Sequence, residues 1–200
     1  MAIKVVTPPT GDVIELADAK SHLRVPASQT LFDSDITAKL AAAVAYIQER
    51  CGRALLTQSW MLALDRFPNA RWPNRRSQII QLDGGPVSAI TDFSYIDETG
   101  TQQTLAANSY QSDLVGDIAR LAPLPQQCWP QTQRDALNQV QITYTVGYGD
   151  ESDVPDPLKQ AILLVLGDFW VNREAALDSR YYVINQAVES LIFPHRIILP

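Results

Sequence analysis

Apolar residues recur at intervals of three and four in the first quarter of the chain, at every second position through its middle, and at three and four again near its end. The first run, IELADAKSHLRV, begins near Ile14, sets Leu16, Ala19 and Leu23 on one helical stripe, and is stopped by Pro26. The second, DSDITAKLAAAVAYIQERCGR, aligns Ile36, Leu40, Val44, Ile47 and Cys51, with Asp33 as the expected N-cap and Gly52 as terminator. Off that stripe lie Ala38, Ala41, Ala42 and Ala45. Such small side chains let a second helix, from this subunit or a neighbour, approach closely.

From Thr57 the period falls to two: TQSWMLALD alternates Trp60, Leu62 and Leu64, and QIIQL, VSAITDFSYID, DIARLAP and NQVQITYTV follow as strands. Gly84-Gly85-Pro86 separates two of them, and Asp97-Glu98-Thr99-Gly100 reads as a hairpin turn in which Gly100 supplies the positive φ. After the acidic loop GDESDVPDP, the segment PLKQAILLVLGDFWVNREA returns to helical spacing, with Pro157 in the first turn and Asp156 as a possible cap. Ile162, Leu163, Leu164, Val165, Leu166, Phe169 and Trp170 cover most of its circumference, so this helix is expected to be buried within one subunit or between subunits. A weak helical segment from Asn185 and the apolar tail IILP end the pattern. The expected fold class is α+β. Two N-terminal helices and a C-terminal helix form a helical bundle, residues 1–55 and 155–200, into which an antiparallel β region, 56–154, is inserted.

With 200 residues, 46% of them hydrophobic, the chain has material for one domain, or one domain with a sizeable insertion. Its net charge of −6 argues against a dedicated nucleic-acid binder, which needs a basic excess for phosphate contact. The same charge suits the wall of a conduit that must pass a polyanion without adsorbing it. Cys51 and Cys128 lie far apart without paired spacing, so neither a disulfide framework nor a zinc site is expected, and a reducing cytosolic setting fits. MAIKVVTPPTGD holds no apolar stretch long enough for a secretory signal. The longest apolar segment, Leu158 to Val171, is broken by Lys159, Gln160 and Asp168 and falls short of the ~20 residues that span a bilayer. No membrane association is expected.

Thr145-Val146-Gly147-Tyr148-Gly149-Asp150 spells a potassium-channel selectivity filter, but it follows an alternating strand and lacks flanking membrane helices. It reads as a strand ending in a glycine-bearing turn. Asp150, Glu151, Asp153 and Asp156 offer oxygen ligands without EF-hand spacing, and a solvated loop whose charge meets the next helix dipole accounts for them more simply. Arg71-Trp72-Pro73-Asn74-Arg75-Arg76 is suited to phosphate contact, stacking or a protein hot spot. With no basic stripe around it, Arg71, Trp72, Arg75 and Arg76 are candidates for protein contact or an exposed hairpin loop. His22 and His195 sit in no HExxH context, and there is no Walker loop, dinucleotide fingerprint, GxSxG elbow or activated cysteine. No catalytic residue, metal or cofactor is nominated, and an enzyme is not expected. A small metal-dependent hydrolase built on the acidic loop is the enzymatic alternative.

The order of these strings carries a resemblance. A helix ending in HLRV, a long helix ending in CGR, a TQSW strand, a YID turn, a GYG strand end and a VP-led apolar helix ending in NRE resemble the head-tail connector family of long-tailed phages and prophages, from about Ile14 to Glu174. The resemblance implies a neck adaptor, or head-completion protein, made in the host bacterial cytoplasm and carried in the neck of the virion. It implies a homo-oligomeric ring, a dodecamer by analogy, seated below the portal protein. That ring extends the channel through which double-stranded DNA passes without sequence-specific binding, and presents a platform for the next neck or tail-completion protein. A tail-completion or tail-terminator ring protein is the other virion alternative; its mark would be a sheet-dominated fold without terminal helices.

A head-to-tail ring needs two different complementary patches on each subunit. The alanine face, the apolar helix and the C-terminal apolar residues are the candidates, with roughly 1,200 to 2,000 Å² of total burial typical of a stable interface. Leu191, Ile192, Phe193, Ile197, Ile198 and Leu199 are expected to dock on a neighbour or the portal, because so apolar a terminus is a liability in solvent. Deleting everything after Asn185 is then expected to abolish assembly and leave the subunit folded.

Overall fold

The computed structural model describes residues 1–68, 78–133, 136–172 and 186–197. The chain is α+β and divides into two compact units, Gly11–Leu56 with Tyr148–Pro200, and Met1–Thr10 with Thr57–Gly147.

The first unit is helical: α1 (Leu16–His22), α2 (Asp33–Cys51), α3 (Asp156–Val171) and α4 (Gln186–Ile192). Its core takes Ala19 from α1, Ile36, Leu40, Ala43, Ile47 and Cys51 from α2, Leu158, Ala161, Ile162, Val165 and Leu166 from α3, and Val188 and Ile192 from α4. The stripe read on α2 is nearly the buried one, with Ala43 fully inside and Val44 on its flank. α2 stops at Gly52, which adopts a left-handed φ of 67° that a side chain would resist, and the N–H groups of Gly52 and Arg53 turn back to the carbonyls of Glu49 and Gln48.

One expectation is corrected. Asp33 makes no capping hydrogen bond; it is the first helical residue, and its carboxylate pairs with Lys20. Lys20 is 5% exposed, and a buried charge left unpaired costs more than an uncapped helix end. Within the single chain α3 is not buried all round. Leu163, Leu164, Phe169 and Trp170 are half-buried beside its inner stripe, Trp170 meets Phe32 edge-on at 5.6 Å, and Val171 is exposed.

The second unit is antiparallel β. Its larger sheet has the order β1 (Ala2–Thr7), β2 (Gln58–Leu64), β8 (Val140–Val146), β4 (Val87–Ile96), β5 (Gln102–Thr104). The smaller runs β3 (Ile80–Leu82), β7 (Ala119–Pro123), β6 (Tyr110–Asp113). β8 alternates as a strand with one inner face must: Val140, Ile142, Tyr144 and Val146 are fully buried and the residues between them are not. Phe93 contacts both Tyr110 of β6 and Trp129, while Phe67 stacks on Trp129 at 5.1 Å, so an aromatic cluster joins the two sheets. The polar ends of these rings are satisfied on backbone: Trp129 Nε1 donates to the Gln78 carbonyl (2.7 Å) and the Tyr144 hydroxyl to that of Asp83 (3.1 Å). Burial, with the nearby Asp83 charge, pushes the Tyr144 hydroxyl well above its ordinary range, so it stays a donor.

Strands β1, β5 and β6 were not expected, and residues 1–10 belong with the sheet rather than with the helices. The Asp97–Gly100 turn is present, with Gly100 at φ 83°. One Asp97 carboxylate oxygen accepts from the Thr99 hydroxyl (2.6 Å) and the N–H groups of Thr99 and Thr101, and the other accepts from the Gln103 amide. The Thr99 hydroxyl first, then Gln103 and the backbone, hold this carboxyl down at about 2.

Because the folded value lies below the unfolded one of about 4, the turn's contribution is present above pH 4 and is lost as pH falls towards 2. Amide protection at Thr99 and Thr101, measured against the intrinsic exchange rate at each pH, should fall across that interval in the parent and show no such step in Asp97→Asn. Burial separates two neighbouring residues as well. Ile192→Ala, emptying a fully buried position, should cost about 2–5 kcal/mol in chemical denaturation, whereas Phe193→Ala, at 68% exposure, should stay within about 0.5 kcal/mol.

Candidate interaction surfaces

The alanine face exists as a surface. Ala38, Ala41, Ala42 and Ala45 are all exposed, on the side of α2 away from Ile36, Ala43 and Ile47. Tyr46, 40% exposed, continues the face, with the Arg50 guanidinium 6.0 Å from its ring centroid. An Asp35–Lys39 pair one turn apart lies at its start.

The C-terminal candidates divide. Ile192 is fully buried in its own subunit's core and is not a docking residue; it completes the α4 face begun by Val188. Leu191 is half-buried against the same core, and Phe193 is exposed. Ile197 is half-buried, and its N–H donates to the Cys51 carbonyl at 2.9 Å. Around it, Arg50 pairs with Glu189 and Arg53 Nε donates to the His195 carbonyl. Cations gathered at the last turn of α2 complement the helix dipole there. Burial pushes the Cys51 thiol up, against the lowering influence of Arg53, Arg196 and Arg50. The segment through Ile197 is therefore clasped to the end of α2. The truncation after Asn185, expected to leave the subunit folded, would remove Val188 and Ile192 from the core. Ile198 and Leu199, and likewise Arg71, Trp72, Arg75 and Arg76, lie outside the described residues.

The acidic loop serves its own turn. Glu151–Asp153 forms one turn of 3₁₀ helix, and the Asp153 carboxylate accepts the Asp150 N–H at 3.1 Å. Gly149, at φ 137°, is needed there because a Cβ would sit 2.2 Å from Asp153 Oδ2. Among the described residues no three His, Cys, Asp or Glu side chains are grouped to hold a metal ion, and no helix is long and apolar enough to cross a membrane. The VGYG string ends β8 and turns into this loop.

A surface not foreseen is β1. All six residues are exposed, Ile3 by 39%, Val5 by 46% and Val6 by 50%, although the strand is paired along β2. Its one sequence signal is a cluster of β-branched residues ahead of Pro8 and Pro9.

No protein-family model matches this sequence, and no curated protein matches it. Solved structures do. A chain in the virion of a native gene transfer agent particle superposes with a TM-score of 0.80 at 23% identity, covering 100% of this chain and 97% of its own. Chains in the neck of the empty particle, computed with C6 symmetry, and in the neck of the native particle, computed with C12 symmetry, give 0.77 and 0.74, each at 24% identity and the same coverage. The fold is thus one found in chains of these gene transfer agent particles, over the whole length of this chain.

An exposed small-residue face tolerates bulk until something must pack on it. Ala41→Trp should leave unfolding free energy, measured by chemical denaturation, within about 0.5 kcal/mol of the parent.

Proposed function

We propose that this chain is a structural, non-enzymatic connector subunit of a phage or phage-like particle: it closes into a ring, a dodecamer, under the portal, extends the DNA channel and presents a platform for the next neck or tail-completion protein. The observation that carries this reading is full-length likeness to chains in gene transfer agent necks computed with C6 and C12 symmetry. The ordered connector motifs agree with it, and so does the exposed alanine face of α2, which offers close helix approach to a neighbouring copy. In this reading the helical bundle is the connector domain and the β region is its insertion. A net charge of −6 keeps the lumen from holding the DNA that passes through it. The site of action is the neck of the virion.

The tail-terminator alternative would present sheet without terminal helices, and α1 to α4 count against it. The hydrolase alternative rests on the acidic loop, where the Asp153 carboxylate is occupied by the Asp150 N–H.

The test is the mass of the full-length protein over a concentration series, alone and with a portal protein from the same phage or phage-like particle. A closed ring, free or formed only on the portal, is the expected result. A monomer indifferent to the portal at every concentration would overturn the assignment.

A further inference from the structure

We propose that successive copies in the ring are joined by strand addition: β1 of one copy lies along the open stretch of β4 in the next, so that the five-stranded sheet continues from subunit to subunit. This rests on the ring reading above and names the surface through which copies meet.

Both edges belong to one sheet, at its opposite ends. β5 covers only part of β4, pairing Gln102 to Thr104 with Ile96 to Ser94, after which Leu105 N–H takes the Phe93 carbonyl and the chain leaves the sheet. Among the described residues Val87 to Asp92 have β8 on one side and no strand on the other, and Ser88, Ala89, Thr91 and Asp92 are exposed. β1 is in the same condition on its side away from β2. A bare strand edge is a template for another chain, and natural sheets rarely leave one without a use or a guard.

Direction, length and charge select the partner. Every neighbour in the sheet is antiparallel, so β1, β8 and β5 run one way and β2 and β4 the other. A second copy in the same orientation therefore brings its β1 antiparallel to β4 and collinear with β5. The strand Ala2–Thr7 matches the open stretch from Asp92 back to Val87, placing Val5 opposite Ala89 and Lys4 beside Asp92. β1 carries Lys4 and no acid, whereas Val87 to Gln102 carries Asp92, Asp97 and Glu98 and no base. Two β1 strands meeting each other would oppose like charges and close a dimer instead of a ring. Bulges at Val6 on β1, and at Ser88 and Thr91 on β4, make each edge a poor template for an arbitrary strand.

The experiment uses the full chain with Cys128, the exposed free thiol, changed to Ser and with buried Cys51 kept. Val5→Cys and Ala89→Cys are introduced together, the protein is assembled with the portal and oxidised, and non-reducing gels are read beside the assembly mass. A ladder of covalent oligomers in the double variant, absent from each single variant, is the expected result. A ring of parent mass without cross-links would overturn the pairing and leave the ring reading standing. Cross-linked dimer from Val5→Cys alone would overturn it in favour of β1 meeting β1. Absence of assembly in the parent would remove the ring reading and this pairing with it. If the cysteines themselves block assembly, a charge exchange decides. Lys4→Glu should lose the ring at concentrations where the parent forms it and Asp92→Lys in the same chain should restore it; no rescue would overturn the proposal.

Discussion

The pairing of β2 with β8 is the constraint on which the rest of the architecture depends. These strands lie far apart in sequence, yet they run antiparallel in unbroken register from Gln58 opposite Val146 to Leu64 opposite Val140. They stand at the two ends of the inserted stretch, and closing them draws the flanking residues together: Leu55 accepts the Tyr148 N–H and Leu56 bridges Gly149. Only then can α2 and α3, separated by the whole β region, share one core. The entropy of closing so long a loop is met once, by a central ladder whose inner face is Val140, Ile142, Tyr144 and Val146. Without that ladder the helical residues of the two halves are unconnected amphipathic segments.

Each unit has a core built from its own large apolar side chains. The aromatic cluster of Phe67, Phe93 and Trp129 is spent inside the β unit, and Ile36, Ile47, Leu158, Leu166 and Ile192 inside the helical one. Outside lie the alanines of one helix face, the main-chain hydrogen-bonding groups of a strand edge, and apolar side chains such as Val5, Val6, Val171 and Phe193. An alanine face and an open strand edge gain little from indiscriminate hydrophobic contact and much from a partner of matching geometry.

Much of this was legible in order and period. The recurrence of Ile36, Leu40 and Ile47 at intervals of four and seven and the two-residue recurrence of Val140, Ile142 and Tyr144 are imposed by helices and strands with one wet side, so they identify those elements without a partner in view. Gly52 and Gly100 mark a helix end and a turn because few other residues adopt their φ. The connector string order pointed to a fold that the gene transfer agent neck chains share.

Other features left no such trace. β1 is exposed on both faces and so has no alternation to read, although its pairing with β2 makes it a strand. Asp33 looks like an N-cap until Lys20 is found buried beside it. Leu191, Ile192 and Phe193 are three consecutive apolar letters, and the sequence treats them alike; the turn of α4 sends Ile192 inward and leaves Phe193 in solvent. By itself the sequence determined the helices, the strands β2, β3, β4, β7 and β8, their order and the stripes that must be covered, because backbone periodicity and local φ preference are properties of neighbouring residues. Only the tertiary structure decided which apolar residues are used up within the subunit and which edges stay open, because burial and strand pairing are settled between residues distant along the chain.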